Sequence, residues 1–158
     1  MDCLGCRLSN QIEPTNTVYE DLYVTCILDI APFNEGHVLI IPKQHIIEFT
    51  ELDQNRANSV FEAVRVVSKA INDIYKPDGI TVIQNGGVFN DLGHFHMHVF
   101  PRYKGDGFGW IEPTNDASKN LNETCRKIRT YISTLFSNAS KAYPSHNTIF
   151  ALRRLTAP

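Results

Sequence analysis

His94, His96 and His98 alternate along the run Gly93-His94-Phe95-His96-Met97-His98-Val99-Phe100-Pro101-Arg102. An extended chain repeats every two residues, so the run predicts a β-strand with all three imidazoles on one face. Phe95, Met97 and Val99 then point the other way, and an apolar face of this kind requires a core to cover it. Each imidazole also brings two ring nitrogens that need partners wherever they are buried. Packing alone does not justify three of them on one face. Histidine titrates near neutral pH and serves as nucleophile, acid, base or metal ligand, so the same run is the first candidate for chemistry.

The rest of the chain supplies that core. Residues 18–30 read as two strands around a turn near Glu20-Asp21, and His37-Val38-Leu39-Ile40-Ile41-Pro42 reads as an apolar strand stopped by proline. Thr50, with Asp53 three residues on, fits a helix start. Ala57, Val60, Phe61, Val64, Val67, Ile71 and Ile74 then recur at spacings of three and four and define one apolar helix face, closed by Pro77 and Gly79. Ile80-Thr81-Val82-Ile83 reads as a strand and Asn85-Gly86-Gly87 as a turn before the histidine run. Residues 117–137 look helical, with Leu121, Cys125, Ile128, Ile132 and Leu135 on one side, and the last twenty residues favour no element. Strands on both sides of one long helix, some joined by hairpin-length links, predict an α+β fold: an antiparallel sheet of about five strands, one long helix and a C-terminal helix.

At 158 residues the chain is read as a single domain, 1–158. Its formal net charge of −2, with no long basic block, argues against bulk attraction to nucleic acid or to an anionic membrane. No apolar run approaches the roughly 20 residues of a membrane helix. The start, Met1-Asp2-Cys3-Leu4-Gly5-Cys6, lacks a basic-then-apolar signal pattern, so a cytoplasmic chain with reduced thiols is expected.

Beyond the histidine run, Leu28-Asp29-Ile30-Ala31-Pro32 and Gly36-His37-Val38-Leu39-Ile40-Ile41-Pro42-Lys43-Gln44-His45 complete a set of motifs. In this order they resemble the histidine triad (HIT) family, whose signature is His-x-His-x-His-x-x with x apolar. Cys3-Leu4-Gly5-Cys6 resembles the paired cysteines that open many bacterial members. The resemblance covers about residues 3–102, with 103–158 as a C-terminal extension. It implies a HIT-like fold and hydrolysis or transfer of nucleoside monophosphates, with His96 attacking the α-phosphorus. A neutral imidazole nitrogen is a good nucleophile and forms a labile phosphoramidate, which splits one hard displacement into two easier ones. His98 on the same face donates to a phosphate oxygen as negative charge develops. This geometry needs the middle ring within bonding reach of phosphorus, outside the protein interior. By the same resemblance Asp29 holds ribose hydroxyls, Ile30 packs on the base, Asn85 lies near the phosphate, and His37 supports the triad from behind. The expected ligand is a purine nucleotide.

One stretch departs from the family pattern. Many members carry Gly-Gln-[Ser/Thr] before the triad, whereas this chain has the shorter Val88-Phe89-Asn90-Asp91-Leu92-Gly93. Asn90 is a substitute amide donor, and Asp91 sets a carboxylate near an anionic substrate. Cys3 and Cys6 have metal-ligand spacing, and the family resemblance adds His45 and His94 as the remaining ligands of a structural, non-catalytic zinc. Catalysis itself requires no cofactor on this reading. Cys26 and Cys125 are expected to be core thiols. Two other functions fit the residues: a metallohydrolase with the triad as zinc ligands, and a nucleotide-binding protein with little turnover. The resemblance also implies a homodimer joined through sheets and long helices.

Overall fold

The structure, a computed structural model, describes residues 3–109, 111 and 120–142. They fall into two compact units that divide between residues 109 and 110.

The first unit is an antiparallel sheet of five strands in the spatial order β1-β2-β3-β5-β4. The strands are β1 (Thr17–Glu20), β2 (Val24–Leu28), β3 (Val38–Pro42), β4 (Gly79–Ile83) and β5 (Met97–Arg102). A short helix, α1 (Leu4–Ser9), precedes them, and the long helix α2 (Gln54–Tyr75) joins β3 to β4. The α+β class and five-stranded sheet agree with the sequence pattern. Asp21 makes the predicted β1–β2 turn by accepting from the amides of Tyr23 and Val24 at 2.7 and 2.9 Å.

Helix α2 covers one face of the sheet. Val60, Ala63, Val67 and Ile71 pack there with Val24, Cys26, Val38, Ile40, Phe95, Met97 and Val99. Phe61 and Ile74, assigned by periodicity to the buried stripe, are 56% and 69% exposed. Phe61 falls outside the covered arc, whereas Ile74 stands on the covered side but in the last turn of the helix. The helix start also differs from expectation. Asp53, not Thr50, is its N-cap and accepts from the Arg56 amide at 2.9 Å. Residues Phe49–Glu51 form a separate 3-10 turn boxed by Glu48 and Glu51. Leu52 packs against the core between the two, in extended conformation, and this delays the helix by one turn.

The opposite face of the sheet receives α1, which is tied down where Thr25 donates from Oγ1 to the Ser9 carbonyl at 2.6 Å. On that same face Leu39 is the cross-strand neighbour of His98.

The second unit contains α3 (Leu121–Ala142), capped where Asn120 Oδ1 accepts from the Glu123 amide at 3.1 Å. The expected helical residues 117–119 and most of the ambiguous last twenty lie outside the described residues. Cys125 was expected in a core but is exposed, as are Leu121, Ile128, Ile132 and Leu135 on the predicted apolar side. No helix of the described residues is long and apolar enough to cross a membrane.

Candidate functional site: a histidine cluster beside a cysteine–histidine cage

The alternation around the histidines holds, but regular strand begins only at Met97. Before it, the backbone bonds elsewhere. The Phe95 amide donates to the Ile46 carbonyl at 2.6 Å, and the His94 carbonyl accepts from a side chain instead of a neighbouring strand. Phe95, Met97 and Val99 are buried in the core as the period of two requires.

The three imidazoles take different partners. His94 donates from Nε2 to the Pro42 carbonyl at 2.9 Å, which leaves Nδ1 as a lone pair. That lone pair faces Cys3 Sγ at 3.4 Å and Cys6 Sγ at 3.6 Å, and Cys6 Sγ also lies 3.5 Å from His45 Nδ1. All four ligand atoms of Cys3, Cys6, His45 and His94 fall within 4.8 Å of one another. A tetrahedral ion with bonds of about 2.0–2.3 Å separates its ligands by about 3.3–3.8 Å, so these contacts already match the edges of such a site. Burial pushes the His94 pKa down, and the neutral ring is the form a metal needs. Gly5 makes the approach possible, because a Cβ there would meet His94 Cβ at 2.4 Å.

His96 uses its nitrogens the other way. Nδ1–H donates to the His94 carbonyl at 2.9 Å, so Nε2 carries the lone pair. The ring was expected to stand open, yet His96 is only 2% exposed. Asp91 Oδ1 lies 3.4 Å from Nε2, while the Asp91 side chain is itself 87% exposed.

His98 is the end of a chain of donors. The Phe33 amide donates to His37 Nδ1 at 3.2 Å, so His37 donates from Nε2 to His98 Nδ1 at 3.0 Å. Burial pushes His98 down to about 4, with His96 and His37 adding to the effect, so the ring is neutral and its one proton sits on Nε2. Burial also lowers His37, against the pull of Asp29. Asp29 Oδ2 lies 3.5 Å from His37 Nδ1 and 3.9 Å from His98 Nδ1, and its Oδ1 accepts from the Ala31 amide at 2.8 Å. Among the described residues, Asp29, His37 and His98 form the other group whose ligand atoms converge. The three triad imidazoles do not converge on one point, which removes the geometric basis for a metallohydrolase that uses them all as ligands.

The remaining candidates surround this cluster at different depths. Ile30 is 99% exposed. It borders a cleft of about 310 Å³ lined also by Leu4, Leu8, Ile27, Leu28, Asp29 and Leu39. Apart from Asp29, these lining residues were not anticipated as site residues, because their aliphatic side chains carry no signal beyond packing. Asn85 is half-buried in irregular backbone, and the turn expected at Asn85-Gly86-Gly87 forms one step later as a 3-10 turn over Gly87–Phe89. Asn90 turns its amide donor to the Ile47 carbonyl at 3.3 Å and leaves Oδ1 buried with no partner. The His37–His98 contact, across 61 positions, was foreseen only as general support from behind the triad.

A HIT domain model matches residues 10–105. A solved structure of a HIT family member from Bacillus subtilis superposes with a TM-score of 0.73 at 34% identity, over 82% of this chain and 96% of that one. An adenosine 5'-monophosphoramidase of Schizosaccharomyces pombe is 32% identical over 70% of this chain and 84% of its own length. A zinc-bound histidine triad protein from Mycobacterium smegmatis matches with a TM-score of 0.63 at 28% identity, over 87% of this chain and 98% of that one. Motifs, sheet order and matched span agree: the chain belongs to the HIT family.

Proposed function

We propose that this chain is a nucleotidyl hydrolase or transferase acting on the α-phosphate of nucleoside phosphoramidates or dinucleoside polyphosphates through a covalent nucleotidyl-His96 intermediate. One observation carries the reading: His96 holds its proton on Nδ1 against the His94 carbonyl and so keeps a lone pair on Nε2, which in the buried ring meets a phosphate only once Asp91 moves off that nitrogen. In the first step that pair forms a bond to phosphorus while the leaving group departs with the electrons of its own bond, an amine leaving group taking up a proton from solvent as it goes. Water then displaces the imidazole. His98, fed by His37, offers Nε2–H to a phosphate oxygen as charge builds. Asp29 accepts from ribose hydroxyls, the base of a purine nucleotide packs at Ile30 and the adjoining cleft, and Asn85 and Asn90 flank the phosphate.

Zinc held by Cys3, Cys6, His45 and His94 is part of the proposal. When bound, it supplies a cross-link between α1 and the loops before α2 and β5, not a catalytic Lewis acid. The His94 carbonyl then aims His96 from a fixed ring. A homodimer through α2 is also part of the proposal, with exposed Phe61 on the side of the helix away from its covered arc, and a monomer by light scattering at micromolar concentration would count against it.

The test is turnover of an adenosine phosphoramidate. The expected products are nucleoside monophosphate and free amine, formed by the wild type and not by His96→Asn. Chelation should lower stability and spare activity in the protein that stays folded. Activity that survives in His96→Asn would reject the reading. The Asp91 cover over Nε2 favours one second reading, a nucleotide-binding protein with little turnover, which binding without product would support.

A further inference from the structure

Asp91 is a charged group that the mechanism above leaves without a task. Its Oδ1 lies 3.4 Å from His96 Nε2, the atom that must reach phosphorus, and no lysine or arginine among the described residues pairs with it. It stands two residues before Gly93, whose φ of +60° gives the loop a left-handed turn. The side chain is 87% exposed, so it can swing off Nε2 without disturbing the core. Wherever it swings from so short a tether, the carboxylate stays beside the reacting phosphate. The bond that breaks lies on the far side of phosphorus from the buried His96, so the leaving group departs outward, where a carboxylate that has swung off Nε2 also lies.

We propose that Asp91 is a specificity residue, selecting substrates whose leaving group carries a positive charge and rejecting those whose leaving group is a further phosphate. The preferred class is nucleoside phosphoramidates in which the amine bears a second, protonated amino group. This inference rests on the nucleotidyl-transfer reading and sharpens it. A carboxylate and an ammonium attract, whereas a carboxylate and a polyphosphate tail repel, and both substrates must pass the same oxygen to reach Nε2. Two unit charges about 6 Å apart, one of them on the 87% exposed Asp91, differ in energy by enough for a change of up to about tenfold in kcat/KM. Salt screens charges at such a site, so the preference should shrink as ionic strength rises, which a preference based on shape would not do.

The experiment compares adenosine 5'-phosphoramidates of putrescine and of pentylamine, which differ in one terminal ammonium, together with diadenosine tetraphosphate. Wild type, Asp91→Asn and Asp91→Ser are assayed for kcat/KM at low and high salt. Dissociation constants for uncleavable methylene-bridged analogues of the pair are measured by calorimetry on the same proteins. The wild type should favour the putrescine substrate by up to about tenfold, and both variants should narrow that ratio to about twofold while gaining on diadenosine tetraphosphate. An unchanged ratio in the variants overturns the proposal. Turnover by the wild type with no charge preference overturns it and leaves the transfer reading standing. Selective binding without any turnover rejects the transfer reading and with it a choice of leaving group by Asp91. Neither turnover nor binding rejects both.

Discussion

Replacing Gly5 with alanine sets two effects of opposite sign against each other. Gly5 lies within α1, where alanine should stabilise the helix by about 0.5–1 kcal/mol on propensity alone. The added Cβ would lie 2.4 Å from His94 Cβ, 2.5 Å from its Cγ and 2.9 Å from Nδ1. Carbon atoms pack at about 3.5–4.0 Å, so α1 and the His94 ring must separate by about 1 Å. Neither side yields easily. His94 is fully buried and pinned to the Pro42 carbonyl, and α1 is bonded to Thr25 through Ser9. Overpacking of this kind costs about 1–3 kcal/mol, so set against the propensity gain the net change is a loss of up to about 2.5 kcal/mol. The shift also exceeds the roughly 0.2 Å tolerance of a metal–ligand bond, and zinc affinity should fall about 10–100-fold. Urea unfolding with and without zinc reads the first effect, and competition against a zinc-chelating dye reads the second. A Gly5→Ala protein that is more stable than wild type and binds zinc as tightly would refute the packing argument.

Other outcomes follow from the same geometry. His37→Phe keeps an aromatic ring beside Phe33 and Phe100 but removes the donor to His98 Nδ1, so kcat should fall about 10–100-fold with KM little changed. Steady-state kinetics checks this, and an unchanged kcat rules out the relay. Cys6→Ser should lower the unfolding midpoint in zinc and abolish the difference between zinc-loaded and chelated protein. Asp106 accepts from Arg102 and from the amides of Tyr103 and Phe108, and these contacts hold its carboxyl well below the usual carboxylate range. A depressed folded-state pKa contributes stability that is complete above about pH 4 and is lost as pH falls further, so Asp106→Asn should flatten the acid limb of the stability profile. Urea midpoints across that range would show it, and parallel profiles for the two proteins would contradict it.

The period-two histidine run was legible because both of its faces have consequences. Phe95, Met97 and Val99 belong in a core, and the core is where they lie. The α2 start was less legible. Thr50 and Asp53 are both good caps three residues from a suitable partner, and only the tertiary packing of Leu52 decides between them. Local spacing identifies Cys3 and Cys6 as a pair, but nothing local says that His45 and His94 meet them. Family resemblance supplied those two residues. Asp91 was visible as a misplaced charge, although its position over His96 depends on the loop before it. The apolar stripe of α3 shows which side of that helix is greasy and not what covers it, which explains the misreading of Cys125.

The central claim is that one ring nitrogen bonds to phosphorus. Rapid acid-free quenching of His98→Ala during turnover of an adenosine phosphoramidate, followed by intact-mass analysis, tests it directly. The expected result is a transient species heavier by one nucleotidyl group, mapped to His96 and missing when His96 is replaced as well. Steady turnover with no such species, or a species that persists without His96, would contradict it.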